Sequence, residues 1–426
     1  QFLGTAATSQ VIGEALGLSL PHSALSPSGF PVWLELGSRS AKALRNLHQK
    51  KIKTKQILTE KALQNAMITH AACGGSSNLI IHLSAIAHHA GLTKPTVQDW
   101  DKVNRRVSRL VDVLPNGPMS YSTAQFFLAG GVPELMLNLA EMDLLELDVL
   151  TCTGLPLRDN LEAWRKSDRR KKFRELLWVQ DQVDPNEIIH SKDEAKSKGM
   201  TSTLCFPLGN LAPEGSVIKS TAIDPAVVGE DGIYRLTGPA RVFVSERDAV
   251  RAVKGLGDKK VEAGDVLILQ GRGPLGAGME EVAQVALALK HLDWGKHVAL
   301  LTDARFSGVS TGACIGHISP EALAGGPIGK LMDDDLIQIE IDQNNLKGSI
   351  NFVGTKNEKL KPIEAGKVLA HRLPNKKLSH DPRMHHDTKL WAALQNVSGG
   401  TWAGSVYDTE KIIETLEAGQ KALRKK

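Results

Sequence analysis

Val266-Leu267-Ile268-Leu269-Gln270-Gly271-Arg272-Gly273-Pro274-Leu275-Gly276 runs from an unbroken apolar segment into a glycine-rich turn, and its reading decides the fold. Four consecutive apolar residues closed by a turn suit a strand covered on both faces. Val298-Ala299-Leu300-Leu301 is a second such run. Around them, Val242-Phe243-Val244, Ile337-Gln338-Ile339-Glu340-Ile341 and Ile350-Asn351-Phe352-Val353 are β-rich, and helical patterns at 246–255 and 280–291 interrupt the series. The expectation from residue 201 onward is a mixed β domain, barrel-like, with helices outside it.

Toward the N-terminus the period changes to that of helices. Leu58–Ala72 is one helix with Thr59 as N-cap, and Gly74-Gly75 breaks it. Ser76 or Ser77 caps the next, whose Leu79, Ile80, Leu83, Ile86 and Ala87 form a buried stripe ending at Gly91. Thr96-Val97-Gln98-Asp99 opens a third as a capping box, with Asp in place of the usual Glu or Gln, and Pro133–Leu145 is a fourth. The fold class is therefore α/β (α+β overall). Its expected parts are a mostly helical region at 1–150, a charged helical linker at 151–200, the barrel-like domain at 201–375 and a helical segment at 376–426.

Of the 426 residues, 42% are hydrophobic and 23% charged, which excludes global disorder. The net charge of +5 is concentrated in residues 165–172 and the terminal 421–426, which read as a solvated helix face and a tail. With aromatics at 4%, stacking platforms are scarce, so no nucleic-acid partner is expected. No apolar run approaches the roughly 18 residues of a membrane span, so no membrane partner is expected either. Cys73, Cys152, Cys205 and Cys314 are isolated, which argues against a disulfide framework and for a reducing, cytoplasmic compartment. Gln1-Phe2-Leu3-Gly4 has neither an initiator Met nor a basic leader, so the sequence is expected to start inside a longer protein.

Four segments can carry chemistry. Gly271, Gly273 and Gly276 satisfy G-x-G-x-x-G, with Asp303 as the later acid, and imitate a dinucleotide fingerprint. Glu280 and Glu281, expected in the helix's first turn, would repel a pyrophosphate and suit a hard cation or merely the helix dipole. In Thr302–His317, Asp303, Arg305, Ser307 and His317 supply an acid, an anion clamp, a nucleophile or base, and an imidazole; turn serines bonding backbone are the plain alternative. Ser76, Ser77 and Asn78 at the helix junction can hold a carboxylate or phosphate, or simply cap a helix. His82 on that helix reads as a packing residue. In Gly209–Ser220, Glu214 and Lys219 are the candidate charges.

In order along the chain, Gly74-Gly75-Ser76-Ser77-Asn78, Gly209–Lys219, Gly278-Met279-Glu280-Glu281 and Thr302–Gly308 resemble the dihydroxy-acid and 6-phosphogluconate dehydratase family. Gln1–Ser9, Pro21–Leu25, Val113–Pro118 and Val397–Trp402 point to its sugar-acid, xylonate-type branch. The resemblance implies a hydro-lyase that turns a 2,3-dihydroxy sugar acid into a 2-keto-3-deoxy acid. It implies an iron–sulfur cluster and Mg²⁺, the helix-flanked α/β domain followed by a β-barrel, and a homodimer or homotetramer. Ser307 matches the family's base and Glu281 its Mg²⁺ glutamate, with Glu280 the one-residue slip. No cysteine of this chain matches a cluster position; those ligands and the other Mg²⁺ ligands are expected upstream of Gln1, so the chain alone is expected to be inactive. Val309 stands where some members have threonine. The remaining readings are an NAD-dependent oxidoreductase built on Gly271–Gly276 and a partner subunit without catalysis of its own.

Overall fold

The computed structural model describes residues 1–116, 119, 121–278, 280–308 and 310–425. Gly117 and Pro118 of one quoted motif, Met279 of another, Val309 and Lys426 lie outside the described residues. The fold is α/β, and the chain divides into two units: Gln1–Leu79, His89–Thr93 and Lys102–Thr203 in the first, Ile80–His88, Lys94–Asp101 and Leu204–Lys426 in the second.

The first unit is helical for reasons already visible in sequence. Thr59 caps helix Glu60–Cys73 by accepting from the Ala62 N–H, and Gly74 ends it at φ +70°, a left-handed conformation that costs glycine no Cβ clash. Residues 151–200, expected as a linker, instead belong to this unit. Helices Leu157–Lys166 and Asp168–Asp181 bury Trp164 and Leu177, and their charges face outward or pair. Within the basic run, Arg169 pairs with Glu35 at 2.8 Å and Arg170 with Glu134 at 2.7 Å. Arg174 and the Trp164 indole also reach the Glu134 carboxylate, so this run is structural in part.

The second unit holds eleven described strands: β1 Leu204–Cys205, β2 Gly215–Lys219, β3 Ile233–Phe243, β4 Val266–Leu269, β5 Glu281–Val282, β6 Ala299–Thr302, β7 Arg305–Phe306, β8 Cys314–Ser319, β9 Asp335–Asp342, β10 Lys347–Thr355 and β11 Glu358–Lys359. Nine of them form one curled mixed sheet in the order β1-β2-β8-β6-β4-β3-β9-β10-β11, and β5 and β7 make a separate pair. At the centre β4, β6 and the end of β3 run parallel, which explains why β4 and β6 are apolar throughout. β3 changes partner at Pro239: residues up to there pair antiparallel with β9, and Ala240 onward pair parallel with β4. The segment after β1 curls back to β10, with the Ile350 N–H donating to the Leu208 carbonyl at 2.9 Å. Alternate residues of the strands, among them Val242, Ile268, Leu301, Ile315, Ile339 and Phe352, fill one continuous core. The helix expected at 280–291 is shorter, Gln284–Lys290, because Glu281 and Val282 pair with β7 as a strand.

Candidate active site

The parallel strands set the chemistry-bearing loops at one end of the sheet. β6 delivers Thr302 and Asp303, and the chain then turns into β7. Asp303 is fully buried, and its carboxylate accepts backbone N–H groups of Gly271 at 3.0 Å, Arg272 at 2.9 Å and Ala322 at 2.9 Å. Desolvation raises its pKa, opposed by those three donors. Asp303 is therefore the tie between two loops.

The glycine-rich loop is spoken for in the same way. Its helical turn is the four residues Pro274–Ala277, and the Leu275 N–H donates to both Glu321 oxygens, at 3.0 and 3.1 Å. Burial pushes the Glu321 carboxyl up to about 8. A Cβ on Gly276 would lie 2.0 Å from the Gly271 carbonyl, so this glycine is needed for tight folding of the loop on itself. The N–H groups a pyrophosphate would use are occupied by Asp303 and Glu321, which removes the basis of the dinucleotide reading.

The neighbouring glutamates part company. Glu280 is held by the Arg272 guanidinium, which also binds Asp381 at 2.8 Å. Glu281 stands on β5 directly opposite Arg305 on β7, with 3.9 Å between their charged ends. The expectation that both glutamates lie in a helix's first turn is thus corrected: one is in a buried ion-pair network, the other on a strand at the site.

Ser307 follows β7 and is half-buried. Its N–H donates to the Val282 carbonyl at 3.2 Å, and its own carbonyl accepts from the Ser310 N–H at 2.9 Å. The next carbonyl, of Gly308, accepts from the Lys219 ammonium at 2.6 Å. Arg305 and Glu281 are thus paired across β7 and β5, and Ser307 follows on the turn after β7, bonded through its backbone to Val282 of β5. His317, on β8, is buried between Phe306 and Trp402, at centroid distances of 6.0 and 6.2 Å, and burial with the Arg305 charge lowers its pKa to about 3. His82 is exposed rather than packed, and partial burial and Arg305 lower its pKa. Glu214 accepts from the Ser319 hydroxyl at 2.8 Å.

In the first unit, Ser76, Ser77 and Asn78 are buried. Ser76 Oγ is 3.2 Å from Thr5 Oγ1, and the Ser76 N–H donates to Thr8 Oγ1 at 3.1 Å. The Asn78 amide donates to Thr5 Oγ1 at 2.7 Å. These bonds tie the junction to helix Thr5–Ala15. Glu321 and the Arg272–Asp381 pair escaped sequence reading, because their partners lie 46 and 109 residues away.

The four cysteines are all free thiols, two in each unit. Among the described residues no group of three or more His, Cys, Asp or Glu is placed to hold a metal ion. The residues present therefore do not by themselves fit an iron–sulfur cluster or a complete Mg²⁺ site.

Comparison with known sequences identifies the family. Residues 1–160 match the dihydroxy-acid/6-phosphogluconate dehydratase N-terminal model and residues 187–379 the C-terminal model. The chain belongs to this family. It is 57% identical over 423 residues to D-xylonate dehydratase YagF of Escherichia coli (strain K12), covering 99% of this chain and 64% of that protein. D-xylonate dehydratase YjhG of the same strain is 56% identical, covering 98% and 63%. A dihydroxy-acid dehydratase of Caldanaerobacter subterraneus is 36% identical over 79% of this chain and 55% of its own length. The chain thus spans just under two thirds of the length of the xylonate dehydratases it matches. Among the described residues no helix is long and apolar enough to cross a membrane.

Proposed function

We propose that the protein carrying this chain is a hydro-lyase that dehydrates a 2,3-dihydroxy sugar acid of the D-xylonate type to the 2-keto-3-deoxy acid. The C2–H bond breaks, its electron pair forms the C2–C3 double bond, the C3 hydroxyl leaves as water, and the enol tautomerises to the ketone. The observation that carries the reading is Ser307 on the turn after β7, with Arg305 two residues before it and Glu281 opposite.

In this reading Arg305 takes the substrate carboxylate, since a guanidinium forks onto a planar carboxylate. Ser307 takes the C2 proton at Oγ. A positioned base contributes about 10²–10⁴ in rate, short of the 10⁶ or more typical of enzymes. The family's iron–sulfur and Mg²⁺ dependence would supply the difference; this chain's described residues do not hold those groups by themselves. Glu281 rather than Glu280 is the carboxylate proposed to face a cation, because Glu280 is committed to Arg272. Ser76 and Asn78 are bonded to Thr5 and Thr8 within the first unit, so a substrate-binding role for Ser76, Ser77 and Asn78 rests on the family resemblance alone. Assembly as a homodimer or homotetramer and a reducing cytoplasmic location complete the proposal, the latter supported by four free thiols. Anaerobic assay of the protein with D-xylonate, following the 2-keto-3-deoxy acid, tests it. Turnover is expected, and none with any sugar acid would refute the reading.

A further inference from the structure

Lys219 ends β2, only 4% exposed, with its ammonium on the Gly308 carbonyl. Among the described residues it makes no ion pair with a carboxylate, and the titratable group nearest in effect is the Cys314 thiol of β8. A buried ammonium without a counter-charge is costly, and a hydrophobic residue of similar volume is often at least as stable. Desolvated charges of this kind cluster at functional sites.

We propose that Lys219 is a positioning residue for Ser307: anchored on the carbonyl of the very next residue, its buried charge fixes the turn and favours loss of the serine's proton. Deprotonation leaves a negative charge on Oγ one residue from the anchored carbonyl, and the ammonium offsets it. Burial brings the lysine down to about 8, with Cys314 opposing, so it is charged at neutral pH. The other groups facing this region are Arg305 on β7, Glu281 on β5, His317 on β8 and His82, while Glu246 faces Cys314. The proposal rests on the reading of Ser307 as the base.

The experiment measures labelling of Ser307 by a fluorophosphonate, in which Oγ bonds to phosphorus, fluoride leaves and the proton goes to solvent. Intact mass against pH reports the rate, with Ser307→Ala as the blank. Lys219→Met is expected to slow labelling at least about tenfold, as a shift of about one unit in the serine's midpoint requires. Its melting temperature is expected to fall by a few degrees, because the buried Gly308 carbonyl loses its donor. Lys219→Arg, which keeps the charge, is expected to restore labelling to within about threefold, and kcat for D-xylonate should follow with KM little changed. Unlabelled Ser307 in the parent, labelling of Lys219→Met within about twofold of it, or no recovery of labelling in Lys219→Arg would overturn the proposal. Lys219-dependent labelling without sugar-acid turnover would instead sink the dehydratase reading and leave the role of Lys219 standing.

Discussion

Arg272 binds Glu280 and leaves the adjacent Glu281 to face Arg305 across β5 and β7. Two consecutive glutamates of the same charge thereby acquire different work. Glu280→Gln weakens a pair whose arginine is only 7% exposed, and is expected to cost about 2–4 kcal/mol. Glu281→Gln, on a half-exposed side chain, is expected to change stability by no more than about 0.5 kcal/mol while lowering turnover. Urea unfolding of the two variants beside their sugar-acid activity checks the split.

Asp303 joins the β6 loop to the glycine-rich loop through three backbone donors. Asp303→Ala strands those buried N–H groups, at about 1–3 kcal/mol each. A loss of at least about 3 kcal/mol in chemical unfolding is therefore expected. A variant as stable as the parent would show that the loops do not depend on this tie.

The same occupancy governs nucleotide binding. With the Gly271, Arg272 and Leu275 N–H groups already donating to carboxylates, calorimetric titration with NAD(H) is expected to show no binding tighter than about 1 mM. A micromolar dissociation constant would restore the oxidoreductase reading.

In the first unit His22 stacks on Phe127 at 4.1 Å, is 2.8 Å from its carbonyl through Nε2, and accepts from Arg169 through Nδ1 at 3.0 Å. Burial, with the Arg169 and Arg39 charges, lowers its pKa from 6.5 to about 3. The unfolded chain therefore binds the proton more tightly. The stabilisation is complete above pH 6.5 and shrinks as pH falls toward 3, by at most about 1.4 kcal/mol per unit. His22→Gln is expected to flatten the loss of stability between pH 7 and 5. An unchanged slope would show that His22 does not titrate with unfolding.

Much of this was legible in sequence where the signal is local. Thr59, Gly74 and the Thr96–Asp99 box are contained within a few residues, and helices form where they indicate. The apolar runs of β4 and β6 announced buried parallel strands. Partnerships over long separations were not legible: nothing near Leu275 announces Glu321, and nothing near Ser307 announces that Lys219, 89 residues from Gly308, grips its turn. The charged composition of 151–200 suggested a linker because Trp164 and Leu177, which bury it, are few among many charges. Spacing alone did not separate Glu280 from Glu281, and the family resemblance favoured Glu281, the one that strand pairing sets opposite Arg305.

The role of Ser307 is tested most directly by the rate of 2-keto-3-deoxy acid formation from D-xylonate in the anaerobically purified protein and its Ser307→Ala variant. A fall of about 10²–10⁴ in kcat with melting temperature unchanged is the expected result. A Ser307→Ala variant that dehydrates D-xylonate at the parent rate would contradict it.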